Sequence, residues 1–133
     1  MNICGLDRTI PTLNETVTLY RPVGQPELEL IEALGYFPPR LVIQPIFYPV
    51  LTFEYAEKIA RDWNTKDKFS GNVGYVTEFD VDKAFLDRYP VRDAGGSRYQ
   101  EYWIPAEELD AFNAHIIGSI RVVAKYEPRS DAV

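Results

Sequence analysis

The sequence contains very few of the residues that build metal sites and covalent cross-links. Its 133 residues include one cysteine, Cys4, and one histidine, His115. A single thiol excludes a disulfide framework, a CxxC pair and a thiolate zinc site within one chain. A single imidazole excludes a His-rich metal site. We therefore expect no metal cofactor.

Positive charge is also scarce. Fourteen Lys and Arg residues against twenty Asp and Glu residues give a formal net charge of −6. Nucleic acids and anionic membrane surfaces attract basic patches, so we expect neither as a partner. No apolar run approaches the length of a membrane span, and the N-terminus lacks a charged segment followed by an apolar one. The cytoplasm is the expected location.

Apolar residues, by contrast, are plentiful. They make up 46% of the chain, and aromatic residues make up 14%. This length and composition predict one domain with a single core that needs no cross-links. Residues 1–15 show no periodicity and are expected to form an irregular N-terminal arm. The predicted domain covers residues 16–126, and residues 127–133 are a tail.

Hydrophobic periodicity predicts short strands that alternate with helices. Pro22 and Gly24 are expected to stop the first strand, and Gly35 to end the first helix. Because the glycine pairs do not link a strand to a helix, neither a dinucleotide fingerprint nor a P-loop is present. The expected class is α+β, a small domain of short, mostly antiparallel strands with peripheral helices. Predicted strands cover 17–21, 46–48, 73–79, 99–104 and 120–126, and helices begin near Pro26, Thr52, Asp82 and Pro105.

Residues 95–105 are the most informative stretch of the chain. A flexible Gly95-Gly96 pair leads into a short aromatic strand that carries Glu101. A carboxylate anchored on a strand beneath a mobile loop can stay fixed while a substrate is held over it. Far upstream, Arg21 lies at the end of the first predicted strand. Glu101 and Arg21 are therefore the first candidates for a functional site.

Four segments of the chain carry a resemblance to a known family: residues 19–24, 45–51, 56–64 and 101–109. The arrangement resembles the ADP-ribosyltransferase fold and, more closely, a group of small bacterial proteins labelled "ADP-ribosylation/crystallin J1". The resemblance extends over residues 16–126. It implies a protein that uses NAD as a substrate, without a metal, either transferring ADP-ribose to an unknown acceptor or hydrolysing NAD.

The resemblance also implies roles for individual residues. In that superfamily a first-strand Arg or His holds NAD, a second-strand Ser or Tyr lines the nicotinamide pocket, and a later Glu orients the nicotinamide ribose. The matching positions are Arg21, Tyr48 and Glu101, with Glu101 as the catalytic residue. Tyr20 and Tyr55 are further candidates for NAD binding. A carboxylate suits this role because it stabilises the positive charge that develops on the ribose, and a guanidinium pairs with pyrophosphate.

Two other classes of function remain open. The second strand lacks the Ser-Thr-Ser run of the arginine-first branch, and Tyr99 stands where that branch has Glu or Gln. The alternative is thus a catalytically inactive module of the same fold that binds a nucleotide or a protein. A third hypothesis is an interaction protein with a face of exposed tyrosines and the prolines of residues 38–49.

Each candidate residue also has a purely structural interpretation. Arg21 can form an ordinary surface ion pair at a strand end, and Glu101 can form an edge-strand salt bridge with Arg98. Tyr48 can be a core or wall residue. Trp63 and Trp103 are expected to lie in the core.

Overall fold

The computed structural model describes residues 15–39, 45–95 and 99–128. It contains helices and antiparallel strands, which confirms the predicted α+β class. The elements are β1 (Thr16–Val23), α1 (Gln25–Leu34), β2 (Ile46–Phe47), α2 (Phe53–Asp62), β3 (Gly74–Asp82), α3 (Lys83–Leu86), β4 (Arg92–Asp93), β5 (Gln100–Glu101), β6 (Ile104–Pro105), α4 (Leu109–Ala114) and β7 (Ile116–Tyr126).

The largest sheet has the antiparallel order β1-β3-β7, with β3 in the centre. Its register pairs Leu19 with Phe79 and Arg21 with Thr77. Because side chains alternate along a strand, Leu19 and Arg21 lie on one face of the sheet and Tyr20 lies on the other. Two shorter pairs, β2-β6 and β4-β5, complete the strands of the described residues.

Each face of the large sheet has its own apolar core. On one face, Phe37, Phe47 and Phe112 pack with Phe79 of β3. On the other face, a smaller core contains Ala56 and Ala60 of α2 together with Val50 and with Val76 of β3. The two cores therefore differ in composition. Tyr20 and Arg21, which are neighbours in β1, face different cores.

The two longer helices begin and end as their sequences predict. Pro26 occupies the first turn of α1, and Gly35 ends this helix with a left-handed φ of 83° that favours glycine. Thr52 caps α2, since its hydroxyl accepts a hydrogen bond of 3.2 Å from the Tyr55 backbone N–H. The predicted cap at Asp82 is also present and opens α3.

The prediction that Pro22 stops the first strand is wrong, because β1 continues to Val23. The backbone N–H of Tyr20 donates to Val50, on the side of β1 away from β3. Pro22 is two residues later, so its nitrogen points to that same side. Its missing N–H therefore leaves the β1-β3 ladder intact.

Two predictions near the C-terminus are also wrong. The single strand predicted for residues 99–104 is divided into β5 and β6. The helix predicted to carry Ile116 and to end at Gly118 ends instead at Ala114, and Gly118 lies within β7. Pairing of Ile116 with Val81 in the central strand replaces the helical turn that the apolar spacing favoured.

Val50 joins the large sheet to β5 through a ladder that is one residue wide. Tyr20 and Val50 exchange two backbone hydrogen bonds, of 2.9 and 2.8 Å. Val50 in turn forms an antiparallel bridge with Glu101. Directly opposed residues share a face, so Glu101 stands on the same face as Tyr20 and on the opposite face from Arg21.

Within the described residues, the structure contains no helix that is both long enough and apolar enough to cross a membrane.

Candidate functional site

A cavity of about 790 Å³ opens at the edge of β1, next to the one-residue ladder. Three of the candidate residues line it: Arg21, Tyr48 and Glu101. They come from three separate segments of the chain. Its size lies within the range of roughly 300–1,000 Å³ that is common for small-molecule sites.

Glu101 is held rigidly at the wall of this cavity. It is 9% exposed, and each of its carboxylate oxygens accepts one hydrogen bond from a side chain. The Tyr55 hydroxyl donates to Oε1 at 2.7 Å, and the Trp103 indole N–H donates to Oε2 at 2.6 Å. Hydrogen bonds to the charged form of a carboxylate fix its orientation.

Tyr55 holds Glu101 from outside the cavity. Burial raises the pKa of Tyr55, and the hydrogen bond to Glu101 and the charge of Glu101 raise it further, so Tyr55 keeps its proton. The ring of Tyr55 lies against Tyr99, with 5.2 Å between ring centroids. Both line a second cavity of about 430 Å³, which shares Ile59 and Trp63 with the first.

Arg21 forms a partly buried ion pair with Glu27 of α1. Its Nε donates to Glu27 Oε2 at 2.7 Å and its Nη2 to Oε1 at 3.1 Å. The guanidinium carbon lies 4.7 Å from the ring centroid of Phe47, and the residue is 8% exposed. Arg21 is thus fixed by charge on one side and by an aromatic face on the other.

Arg21 and Glu101 line one cavity although they project from opposite faces of the sheet. The cavity lies at the edge of the sheet, where the one-residue pairing of β1 with Val50 ends. It reaches both faces of the sheet. Among the described side chains, Arg21 pairs with Glu27, and Glu101 with Tyr55 and Trp103. The edge salt bridge considered for Glu101 involves Arg98, which lies outside the described residues.

The remaining tyrosine candidates occupy different surroundings. Tyr48 lines the cavity and meets Trp103 edge to face, with 6.1 Å between centroids. Tyr20 does not line either cavity. It packs edge to face on Phe53, and burial and the nearby charge of Glu78 raise its pKa.

The two tryptophans are not core residues, contrary to prediction. Trp103 is 41% exposed and Trp63 is 59% exposed. Hydrophobic periodicity treats tryptophan as apolar, but Trp103 donates its N–H to Glu101 and carries Arg92 on its ring at 4.2 Å. The spacing of Glu101 and Trp103, two residues apart in a predicted strand, was the signal that they share a face.

Two short 3₁₀ turns, Asn64–Lys66 and Lys68–Ser70, follow α2 and contribute to the wall of the cavity. The predicted polar turn over residues 64–72 is therefore partly buried. A chain of hydrogen bonds runs through it: Asn64 Nδ2 donates to Ser70 Oγ at 2.8 Å, and Ser70 Oγ donates to Asp67 Oδ2 at 2.8 Å. Sequence patterning missed Asn64 as a lining residue.

Gly24 positions these turns against the start of α1. A Cβ at position 24 would lie 2.5 Å from both Cα and Cβ of Ser70, which is closer than packed atoms approach. Glycine is thus required by the contact itself, since the backbone at this position is extended.

The charge that lines the cavity is mostly negative. Among the described lining residues, Arg21 is the one cation, and Glu27, Asp67 and Glu101 are carboxylates. Part of this negative charge is compensated by the Arg21–Glu27 pair. Over the described ranges, no group of three or more His, Cys, Asp and Glu side chains is arranged to hold a metal ion.

Comparison of the chain with protein-family models, with curated proteins and with solved structures found no match.

Proposed function

We propose that this protein binds NAD and either transfers its ADP-ribose group to an acceptor or hydrolyses NAD. One observation carries the proposal. The carboxylate of Glu101 is buried, held by two donors, and placed on the wall of a cavity that Arg21 and Tyr48 also line. These are the three positions for which the sequence resemblance implies NAD-directed roles.

The chemistry requires little from the protein besides positioning and charge. The bond between ribose C1′ and the nicotinamide nitrogen breaks, and its electron pair leaves with nicotinamide. The ribose becomes oxocarbenium-like, and a fixed carboxylate stabilises the positive charge that develops there. An acceptor nucleophile or water then bonds to C1′ and gives up its proton. Glu101 fits this role because Tyr55 and Trp103 hold its oxygens in place.

The charged residues that line the cavity match two different parts of NAD. The cationic nicotinamide ring suits the carboxylate of Glu101, which lines the cavity. The pyrophosphate needs a cation, and Arg21 is the guanidinium that lines the cavity within the described residues. In the structure that guanidinium is paired with Glu27, so pyrophosphate binding competes with an internal ion pair.

Nicotinamide release from NAD, measured with the wild-type chain and Glu101→Gln, tests the proposal. We expect release by the wild type and a loss of at least about 100-fold in the variant, since one preorganised electrostatic group is worth that much. Glu107→Gln is the matched control, because Glu107 is exposed and does not line the cavity. Release by Glu101→Gln at the wild-type rate would exclude a catalytic role for Glu101.

A catalytically inactive module of the same fold is the second candidate. This candidate is favoured because both charged groups already have partners within the chain. Arg21 pairs with Glu27, and Glu101 accepts hydrogen bonds from Tyr55 and Trp103. Such a module binds NAD or a related nucleotide without turnover. Calorimetric binding of NAD with no nicotinamide release in any variant distinguishes it from the enzyme.

Two further expectations remain part of the proposal. A cytoplasmic location is expected from the composition. The interaction face of exposed tyrosines and prolines stays a prediction, and residues 40–44 of its proline segment lie outside the described part of the chain.

A further inference from the structure

The 3₁₀ turns after α2 contain one polar atom that the fold does not satisfy. Asn64 is 5% exposed, and its Oδ1 is buried without a hydrogen-bond partner among the described residues. A buried carbonyl without a hydrogen-bond partner destabilises a protein, so such groups are rare unless something binds them.

The orientation of the Asn64 amide follows from its neighbours. Asp67 accepts a hydrogen bond from Ser70 Oγ, so the Ser70 hydroxyl proton is committed to Asp67. Ser70 Oγ then accepts from Asn64, and the nitrogen of the amide must face Ser70. Oδ1 is therefore the free atom, and it accepts hydrogen bonds only. The Asn64 carbonyl selects a donor, such as an N–H.

Two exposed aromatic rings border Asn64 on the same cavity. Phe69 is 91% exposed and Trp63 is 59% exposed, and both line the cavity together with Asn64. An aromatic ring that lines a cavity without being packed offers its face to a planar ligand. The two turns thus combine a stacking surface with a fixed hydrogen-bond acceptor.

We propose that residues 63–70 form a subsite for a planar heterocycle that bears an N–H₂ donor, with Asn64 Oδ1 accepting from that group and Phe69 stacking on the ring. The subsite deepens the proposed NAD-binding function and rests on it for the identity of the ligand. NAD carries two such groups, the amino group of adenine and the carboxamide of nicotinamide.

Two analogues of NAD distinguish these two sources. In deamino-NAD the amino group of adenine is replaced by a carbonyl oxygen, and in the 3-acetylpyridine analogue the amide N–H₂ is replaced by methyl. By calorimetry on the full chain, we expect wild type to bind one analogue about tenfold more weakly than NAD. That analogue identifies the group that Asn64 reads.

Asn64→Leu tests whether the preference comes from this carbonyl. In the variant, NAD is expected to bind as weakly as the discriminated analogue, so that the difference between them disappears. Thr65→Val is the matched control, because Thr65 lies in the same turn, hydrogen-bonds Arg61 and does not line the cavity. It keeps the wild-type preference. A preference that persists in Asn64→Leu, or equal binding of all three dinucleotides to wild type, overturns the proposal.

Two more variants separate the parts of the subsite. Ser70→Ala keeps the Cβ that contacts Gly24 but releases the Asn64 amide, so it weakens the preference even if Asn64→Leu fails to fold. Phe69→Ala lowers the affinity for NAD and both analogues equally, at least about fivefold, because stacking does not read the amino group.

Failure of the NAD hypothesis is distinguishable from failure of the subsite. If no dinucleotide binds, adenosine is compared with purine riboside and nicotinamide with 3-acetylpyridine. A preference for the amino or amide compound that Asn64→Leu abolishes supports the subsite without NAD. Absence of binding by all four small probes overturns it.

Discussion

Arg21 and Glu27 form a two-pronged ion pair on the wall of the cavity, with donor–acceptor distances of 2.7 and 3.1 Å. The pair holds the start of α1 against β1 and keeps the guanidinium on the cavity wall. It also neutralises the charge that a phosphate ligand would need. A phosphate ligand would therefore compete with Glu27 for the same guanidinium.

Glu27→Gln is expected to raise the affinity for NAD and ADP-ribose about tenfold, because Arg21 is released to pair with pyrophosphate. The same change lowers the free energy of unfolding by about 1–3 kcal/mol, since a partly buried charged hydrogen bond is weakened. Calorimetry and urea unfolding measure the two effects. Glu29→Gln, on the same helix but outside the cavity, is the control. Weaker NAD binding by Glu27→Gln would contradict the prediction.

Asn64→Leu is expected to leave the stability of the ligand-free protein unchanged within about 1 kcal/mol, or to increase it. The substitution removes an unsatisfied buried carbonyl, while Ser70 keeps its hydrogen bond to Asp67. Thermal unfolding without ligand is the measurement. A loss of more than about 3 kcal/mol would show that the amide is already satisfied in the free protein.

Gly24→Ala is expected to destabilise the protein by about 1–3 kcal/mol and to weaken ligand binding, because the added methyl group displaces the Ser70 backbone. Gly35→Ala provides the comparison. Gly35 has open space around it and carries only the strain of its left-handed backbone. The free energy of unfolding of Gly35→Ala should be about 1–2 kcal/mol below that of the wild type, and its ligand affinity should be unchanged. Equal binding by both variants would mean that the turns do not depend on Gly24.

Stability is expected to fall as the pH rises from about 10 to about 12. Burial, together with the hydrogen bonds to Glu108 and Glu57, raises the pKa of Tyr89 and of Tyr126 to about 12. An unfolded tyrosine ionises near pH 10, so the folded chain retains protons that the unfolded chain loses. The stabilising contribution of these tyrosines is complete below about pH 10 and is lost as the pH passes the folded pKa.

Urea unfolding at several values of pH tests this expectation. Tyr89→Phe and Tyr126→Phe should each show a shallower decline above pH 10 than the wild type. Tyr36→Phe, which changes an exposed side chain, should follow the wild-type slope. A double variant that declines as steeply as the wild type would refute the assignment.

Local signals in the sequence predicted the elements whose ends depend on a nearby residue. Thr52 and Gly35 act within one turn of their helices, so the start of α2 and the end of α1 could be read directly. Elements that depend on distant pairing could not. Residues 116–118 fit a helical spacing, but their place is decided by β3, which lies more than thirty residues earlier.

The candidate site divides in the same way. The family resemblance pointed to Arg21, Tyr48 and Glu101, and these three residues line one cavity. Their partners could not be inferred, because Glu27 reaches Arg21, and Tyr55 reaches Glu101, through packing that no local pattern encodes. That Arg21 and Glu101 leave opposite faces of the sheet depends on the ladder through Val50, and one strand's alternation carries no information about it.

The one-residue ladder through Val50 limits which sequence changes are compatible with the position of Glu101. Main-chain atoms, and not the Val50 side chain, connect Tyr20 to Glu101. Different apolar residues at position 50 are thus compatible with the same carboxylate position. A one-residue slip in this pairing would instead turn Glu101 toward the opposite face, away from Tyr55. An insertion within one of the paired segments would therefore reorient Glu101, whereas the loops between these segments can change in length without shifting the pairing.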